Sequence, residues 1–260
     1  MIQHLLQLIW NQRKQNAWLW AELLLVSVFL WFLVDYLYVM GRTYTAPLGF
    51  DIRHTYSIVI SSLSERSPDY IPKEKRERPD GVHLLTALDR IRTYPGVESA
   101  CLTDGGMPYY MGSRNLVWRI DTLQVPCRYA FVTPEFFDVF RIYDKEGETA
   151  SLKRAIEDNN SIVISADVET MNPGLSLLGQ KAYRGNVTDE IEETIRGISV
   201  PIRRHEYTKA EPNVYRALRL SRMEEGYYEG MIDAVRLCVR MSIMLISPHA
   251  SARIWPNSFG

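Results

Sequence analysis

Histidines and cysteines are the residues of this 260-residue chain best suited to metal or nucleophilic chemistry, and their spacing supports neither. His54, His83, His205 and His249 are scattered, with no H-E-x-x-H or comparable ligand spacing. Cys101, Cys127 and Cys238 form no C-x-x-C and no Cys/His cluster. Two states stay open for Cys101 and Cys127: a pair in an oxidising compartment, or free buried thiols. His205 and Glu206 are adjacent, but neighbours on a strand face opposite sides. Glu192-Glu193 and Glu224-Glu225 read as solvated surface pairs. Gly105-Gly106 through Gly112 is a glycine-rich loop with no lysine after it. The chain holds no G-x-x-x-x-G-K-[ST] phosphate loop and no G-x-S-x-G elbow. The expectation is that no residue serves as a catalytic group, a cofactor ligand or a metal ligand, so the chain is not an enzyme and needs no cofactor. Thirty basic against thirty-one acidic side chains give a net charge of −1, which makes no electrostatic case for nucleic acid.

The elements that would position such residues begin with an apolar run. "AWLWAELLLVSVFLWFLV", Ala17 to Val34, carries one acid, Glu22. Eighteen residues at about 1.5 Å each reach about 27 Å, and continuing to Met40 exceeds the roughly 30 Å of bilayer hydrocarbon. Trp18 and Trp20 stand at one end, and Tyr36, Tyr38 and Tyr44 at the other, as at two membrane interfaces. The run is too long for a signal peptide and ends without a small-residue cleavage pattern. Residues 17–40 are therefore expected to form a transmembrane helix. Before it, Leu5, Leu6, Leu8, Ile9 and Trp10 oppose Gln3, Gln7 and Gln12, which predicts an interfacial amphipathic helix over residues 1–16. Arg13 and Lys14 favour a cytoplasmic N-terminus.

Beyond the span, α and β patterns mix. "TYSIVISSL", "VESACLT", "NLVWRI", "CRYAFVT", "SIVISADV", "ETIRGISVPI" and "NVYRALRL" read as strands, with a turn near Asp121. Asp80 is placed to cap a helix with Val82, Leu85, Leu88 and Ile91 at near-helical spacing, stopped by Pro95-Gly96. "PEFFDVF" predicts a short helix that buries Phe136, Phe137 and Phe140. Pro173, Gly174 and Gly179 suit turns, and Gly197 within a strand predicts a bulge or a close backbone approach. The fold class expected is α+β: one N-terminal transmembrane helix, then a mixed α/β extracytoplasmic domain whose length suits one good-sized domain or two small lobes. The charged segment "DKEGETASLKRAIEDNN" is the expected division between lobes, near residues 142–160.

"YPGVESA", "YAFVTPEFFDVFRI", "SIVISADVETMNPGLSLLGQKA" and "ETIRGISVPI" follow the span in that order. In this order the chain resembles the MacB-type family of ABC-transporter permeases, relatives of FtsX and of the lipoprotein-releasing permeases, over about residues 1–220. The resemblance implies a two-lobed extracytoplasmic domain, each lobe α/β, carried between transmembrane helices in a bacterial inner membrane. It also implies a permease dimer partner and a separate ABC ATPase subunit, whose ATP-driven movement the ectodomain passes to extracytoplasmic partners or cargo.

Residues 41–230 are taken as the MacB-like core domain and 231–260 as an atypical C-terminal tail. Its apolar run, Met241 to Ile246, follows Asp233, Arg236 and Arg240 and is too short and too charged to span a bilayer. The family continues into three further spans, and two origins stay open for this tail, a truncation or a frameshift. Two functions follow: a permease subunit working with an ATPase, or a single-pass anchored extracytoplasmic binding or sensing module without transport activity.

Overall fold

The computed structural model describes residues 10, 17–61, 63–72, 75–110, 112, 114–184, 191–226 and 234–242. It divides into two units, residues 1–47 and 48–260. The first unit is described from helix α1, Ala17–Thr45, which holds an 18-residue stretch of mean hydropathy 2.2 and is long and apolar enough to cross a membrane. Its large side chains, Trp18, Leu24, Phe29 and Trp31 among them, are exposed. The predicted interfacial helix over residues 1–16 lies outside the described residues except for Trp10.

The second unit is built on one nine-stranded sheet. Its elements run β1 (Thr55–Ile58), α2 (Asp80–Arg92), β2 (Val97–Asp104), β3 (Arg114–Ile120), β4 (Leu123–Val132), α3 (Phe136–Phe140), α4 (Ala150–Glu157) and β5 (Ser161–Ser165). They continue with α5 (Asp167–Met171), β6 (Lys181–Arg184), β7 (Ile191–Ser199), β8 (Asn213–Ala217), α6 (Leu220–Glu224) and β9 (Val235–Met241). The strand order is β1-β9-β2-β4-β3-β6-β7-β5-β8, and β8 returns to pair in parallel with β4. Six strands thus close on themselves as β4-β3-β6-β7-β5-β8, while β2, β9 and β1 leave β4 as a three-stranded arm. Closure gives each strand of the circuit two neighbours and leaves no free edge there.

Strand alternation explains the three apolar clusters. One face of the circuit turns Trp118, Ile120, Val125, Cys127, Ile164 and Ile195 toward each other. The opposite face of β4, β5 and β8 supplies Ala130, Val132, Val163 and Tyr215 to a second cluster with Phe136, Phe137 and Phe140 of α3 and Leu152 and Ile156 of α4. The arm lies between helices. Ala100, Leu102, Leu237 and Val239 meet Leu84 and Leu88 of α2 on one face, and Cys101 and Cys238 join the α3 cluster on the other.

Several sequence expectations change. The sheet does not break near residues 142–160, because α4 within that segment buries Leu152, Ala155 and Ile156 against β5 and β7. The sheet branches instead at β4, where β2 meets Phe131 and Val132 beside the circuit. Residues 235–241, assigned above to the tail, form β9, which pairs with both β1 and β2. Only Thr55–Ile58 of "TYSIVISSL" is strand. Asp80 is the first residue of α2 rather than its cap, and its carboxylate takes Arg76 Nη1 at 2.6 Å. Leu84, absent from the predicted stripe, is buried to 1% exposure and joins Leu88 facing the sheet.

Other expectations stand. Phe136 and Phe137 are fully buried, with ring centroids 5.8 Å apart and edge to face. Asp121, in the two-residue turn between β3 and β4, takes φ +52°, the left-handed geometry that such hairpins require. Gly197 serves both predicted purposes. The β5–β7 register slips by one residue beside it, and a Cβ there would lie 2.9 Å from Val163 Cγ2 and 3.0 Å from Ala155 Cβ. Its bare backbone is what lets α4 lie on the strands.

Candidate functional site: the entry strap and its buried arginine

The residues first weighed for chemistry are not brought together. Among the described residues, no group of three or more His, Cys, Asp or Glu is close enough to hold a metal ion. His205 and Glu206 lie in a loop, not on a strand; His205 Nδ1 accepts from Tyr207 N at 3.2 Å, and Glu206 accepts from the Tyr109 hydroxyl. His249 lies outside the described residues. A cavity of about 10 Å³, lined by Gly106, Arg114, Arg128 and Tyr215 among others, has room for about one water.

The cysteines are all free and buried. Cys127 faces the interior of the circuit and Cys101 the α3 cluster, so these two are not partners. Burial pushes the Cys127 thiol up to about 12.

Glu192 and Glu193 do not share a surface. Glu192 is exposed and pairs with Lys181 at 2.8 Å, whereas Glu193 is 2% exposed. Glu193 accepts from Arg216 Nε at 2.8 Å and has Arg184 Nε at 3.6 Å. A buried carboxylate needs this pairing, and Arg216 is held in turn over the Phe131 ring at 5.0 Å.

Arg240 on β9 is 3% exposed and closely held. Its Nη1 donates to the Val139 carbonyl at 2.8 Å and to the Asp51 carbonyl at 3.1 Å, and its Nη2 to Asp51 Oδ2 at 3.2 Å. Glu98 of β2 stands 3.6 Å from its Nε. Asp51 belongs to the strap, residues 48–54, that enters the domain before β1. Its backbone N–H donates to the Phe140 carbonyl at 2.8 Å, and its carboxylate also takes Arg53 at 3.1 Å and has Arg141 at 3.6 Å. Burial pushes the Asp51 carboxyl up, but the Arg53 hydrogen bonds and the Arg53 and Arg240 charges outweigh it and hold it at about 2.

The rest of the strap is fastened as closely. The Leu48 carbonyl accepts from Arg203 N at 3.0 Å, and Thr55 Oγ1 donates to Val139 O at 3.3 Å. Gly49 has φ +82°, and a Cβ on it would lie 2.1 Å from the Pro201 carbonyl oxygen, so only glycine fits there. Met241 N returns to the His54 carbonyl at 2.9 Å. The first residues of the domain, its last described strand and the α3 corner are thus locked through one guanidinium. This arrangement holds the strap, β9 and the α3 corner in position. The sequence reading missed it, although an arginine inside the apolar pattern V-R-L-C-V-R-M was a usable signal of a buried charge.

No family model and no curated protein matches the chain. Among solved structures it is similar to a domain assigned to a permease of Porphyromonas gingivalis, at 19% identity and a TM-score of 0.45. That match spans 64% of this chain and 63% of the other, so the chain covers less than two thirds of it. It is similar to the periplasmic region of MacB from Actinobacillus actinomycetemcomitans at 10% identity and a TM-score of 0.46, over 81% of this chain and 85% of that one. It is also similar to the extracellular domain of the noncanonic ABC-type transporter YknZ from Gram-positive bacteria, at 12% identity and a TM-score of 0.43, over 74% and 86%. What the chain is similar to is in each case a domain of a permease or transporter, described as periplasmic or extracellular in two of the three.

Proposed function

We propose that the chain is a membrane-anchored permease subunit of a MacB-like ABC transporter. In this reading α1 crosses the bacterial inner membrane, the N-terminus is cytoplasmic, and the domain from Leu48 onward is extracytoplasmic. The domain receives movement through its entry strap and passes it to extracytoplasmic partners or cargo. The observation that carries the reading is the Asp51–Arg240 clamp, which joins the strap to β9 and so makes the start and end of the described domain one mechanical unit. The apolar length of α1 supports the anchor, and the family motifs support the kind of transporter. Energy comes from a separate P-loop ATPase, since the chain carries no phosphate-binding loop, and a second permease chain completes the bilayer part.

The test is to extract the tagged full-length chain from its own membranes and identify the chains that co-purify. Recovery of a P-loop ATPase, with ATP turnover that appears only when that subunit is present, is the expected result. Recovery of extracytoplasmic proteins without an ATPase refutes the permease and leaves the anchored binding module. Robust turnover by this chain alone, abolished by a point change within it, refutes both.

A further inference from the structure

We propose that Cys101 and Cys238 are joined by a disulfide that fastens β9 to β2 when the protein matures outside the cytoplasm. The two residues are directly opposite one another in the antiparallel β2–β9 ladder. Opposite residues in such a ladder have Cα atoms about 4.5 or 5.5 Å apart, depending on the pair type, and both values lie within the roughly 4.4–6.8 Å that a disulfide spans. Opposite residues also project to the same face, and both cysteines belong to the cluster beneath α3. Cys101 is 0% and Cys238 1% exposed, and Cys238 Sγ lies 3.2 Å from Met107 Sδ. A disulfide would fill the apolar space that the two thiols now occupy and would bury no unpaired polar group. Cys127, on the inward face of the circuit, is left as the odd thiol.

The chemistry is thiol–disulfide exchange. One cysteine thiolate attacks a sulfur of an oxidised dithiol, the displaced thiolate takes up a proton, and the second cysteine attacks the mixed disulfide. The two thiols lose two protons and two electrons to form S–S, and the oxidant's disulfide becomes two thiols. Burial, with Cys238 as neighbour, raises the Cys101 thiol well above its ordinary value, and in the folded domain both sulfurs are closed off from an oxidant. The bond therefore forms before β9 seats against β2. Its effect is mechanical: β9 already holds the strap through Arg240, and the bond ties that strand covalently to the strand that meets β4.

The proposal rests on the extracytoplasmic placement, and the experiment separates the two. The full-length protein is extracted from membranes with free thiols blocked, digested without reductant and examined by mass spectrometry. A second sample is unfolded, reduced and refolded with oxidised glutathione. A peptide joining Cys101 to Cys238 in both samples is the expected result, retained in Cys127→Ala and lost in Cys238→Ala. The peptide in the refolded sample alone keeps the pairing and overturns the placement. Its absence from both samples, while a cysteine at the exposed Ser64 labels from outside intact cells, overturns the disulfide and leaves the placement standing.

Discussion

Removing either partner of the Asp51–Arg240 clamp should destabilise the domain, but by unequal amounts. Asp51→Ala leaves a buried guanidinium with two carbonyl acceptors and Glu98 at 3.6 Å. Breaking a fully buried pair costs about 3–5 kcal/mol, and the acceptors that remain lower this to about 2–3 kcal/mol. Arg240→Met keeps most of the apolar volume and strands no buried cation. The Asp51 carboxylate keeps Arg53 and is 20% exposed, so the loss is chiefly the bonds to the Val139 and Asp51 carbonyls, about 1–2 kcal/mol. The double variant should resemble Arg240→Met, which gives a coupling energy of about 2 kcal/mol. The pH dependence follows from the same contacts. With the folded carboxyl at about 2 and an unfolded aspartate near 3.9, the stabilisation is complete above about pH 4 and is lost as pH falls through 2. The assay is urea unfolding of the full-length protein in detergent, read by labelling of Cys127, which is buried in the apolar cluster inside the circuit. An additive double-mutant cycle, or a larger loss from Arg240→Met than from Asp51→Ala, would refute the reasoning.

Phe137→Ala empties a site at 0% exposure and should cost about 3–5 kcal/mol in the same urea assay, while an unmoved midpoint would remove Phe137 from the core. Gly197→Ala should cost about 1–3 kcal/mol, because the added methyl meets Val163 and Ala155 at 3.0 Å or less, and protection of α4 amides in hydrogen exchange should fall. Glu193→Gln keeps the shape but leaves Arg216 and Arg184 without a carboxylate and should cost about 2–4 kcal/mol, whereas a surface pair of the kind read from Glu192-Glu193 would cost under about 1 kcal/mol; urea midpoints separate the two. A cysteine placed at Ser64 should label from outside intact cells and one at Gln12 should not, and the reverse pattern inverts the topology.

What the sequence alone determined about this protein is what neighbours along the chain decide. The apolar length of α1, the alternation in β3 and β7, the apolar runs of β2 and β5, the Phe-rich turn of α3, the Asp121 hairpin and the need for a bare backbone at Gly197 are all periodicity or local backbone geometry. So is the absence of a phosphate loop. Only the tertiary structure decided which strands lie side by side, and the clamp depends on that. Asp51 and Arg240 are 189 residues apart and meet because β9 inserts between β1 and β2. Glu193 looks like half of a solvated pair with Glu192 until Arg216 of β8 closes on it within the circuit. Cys101 finds Cys238 rather than Cys127 for the same reason. The partner of a buried charge or thiol is set by strand order, and strand order is a property of how the whole chain hides its apolar faces, which no local spacing encodes.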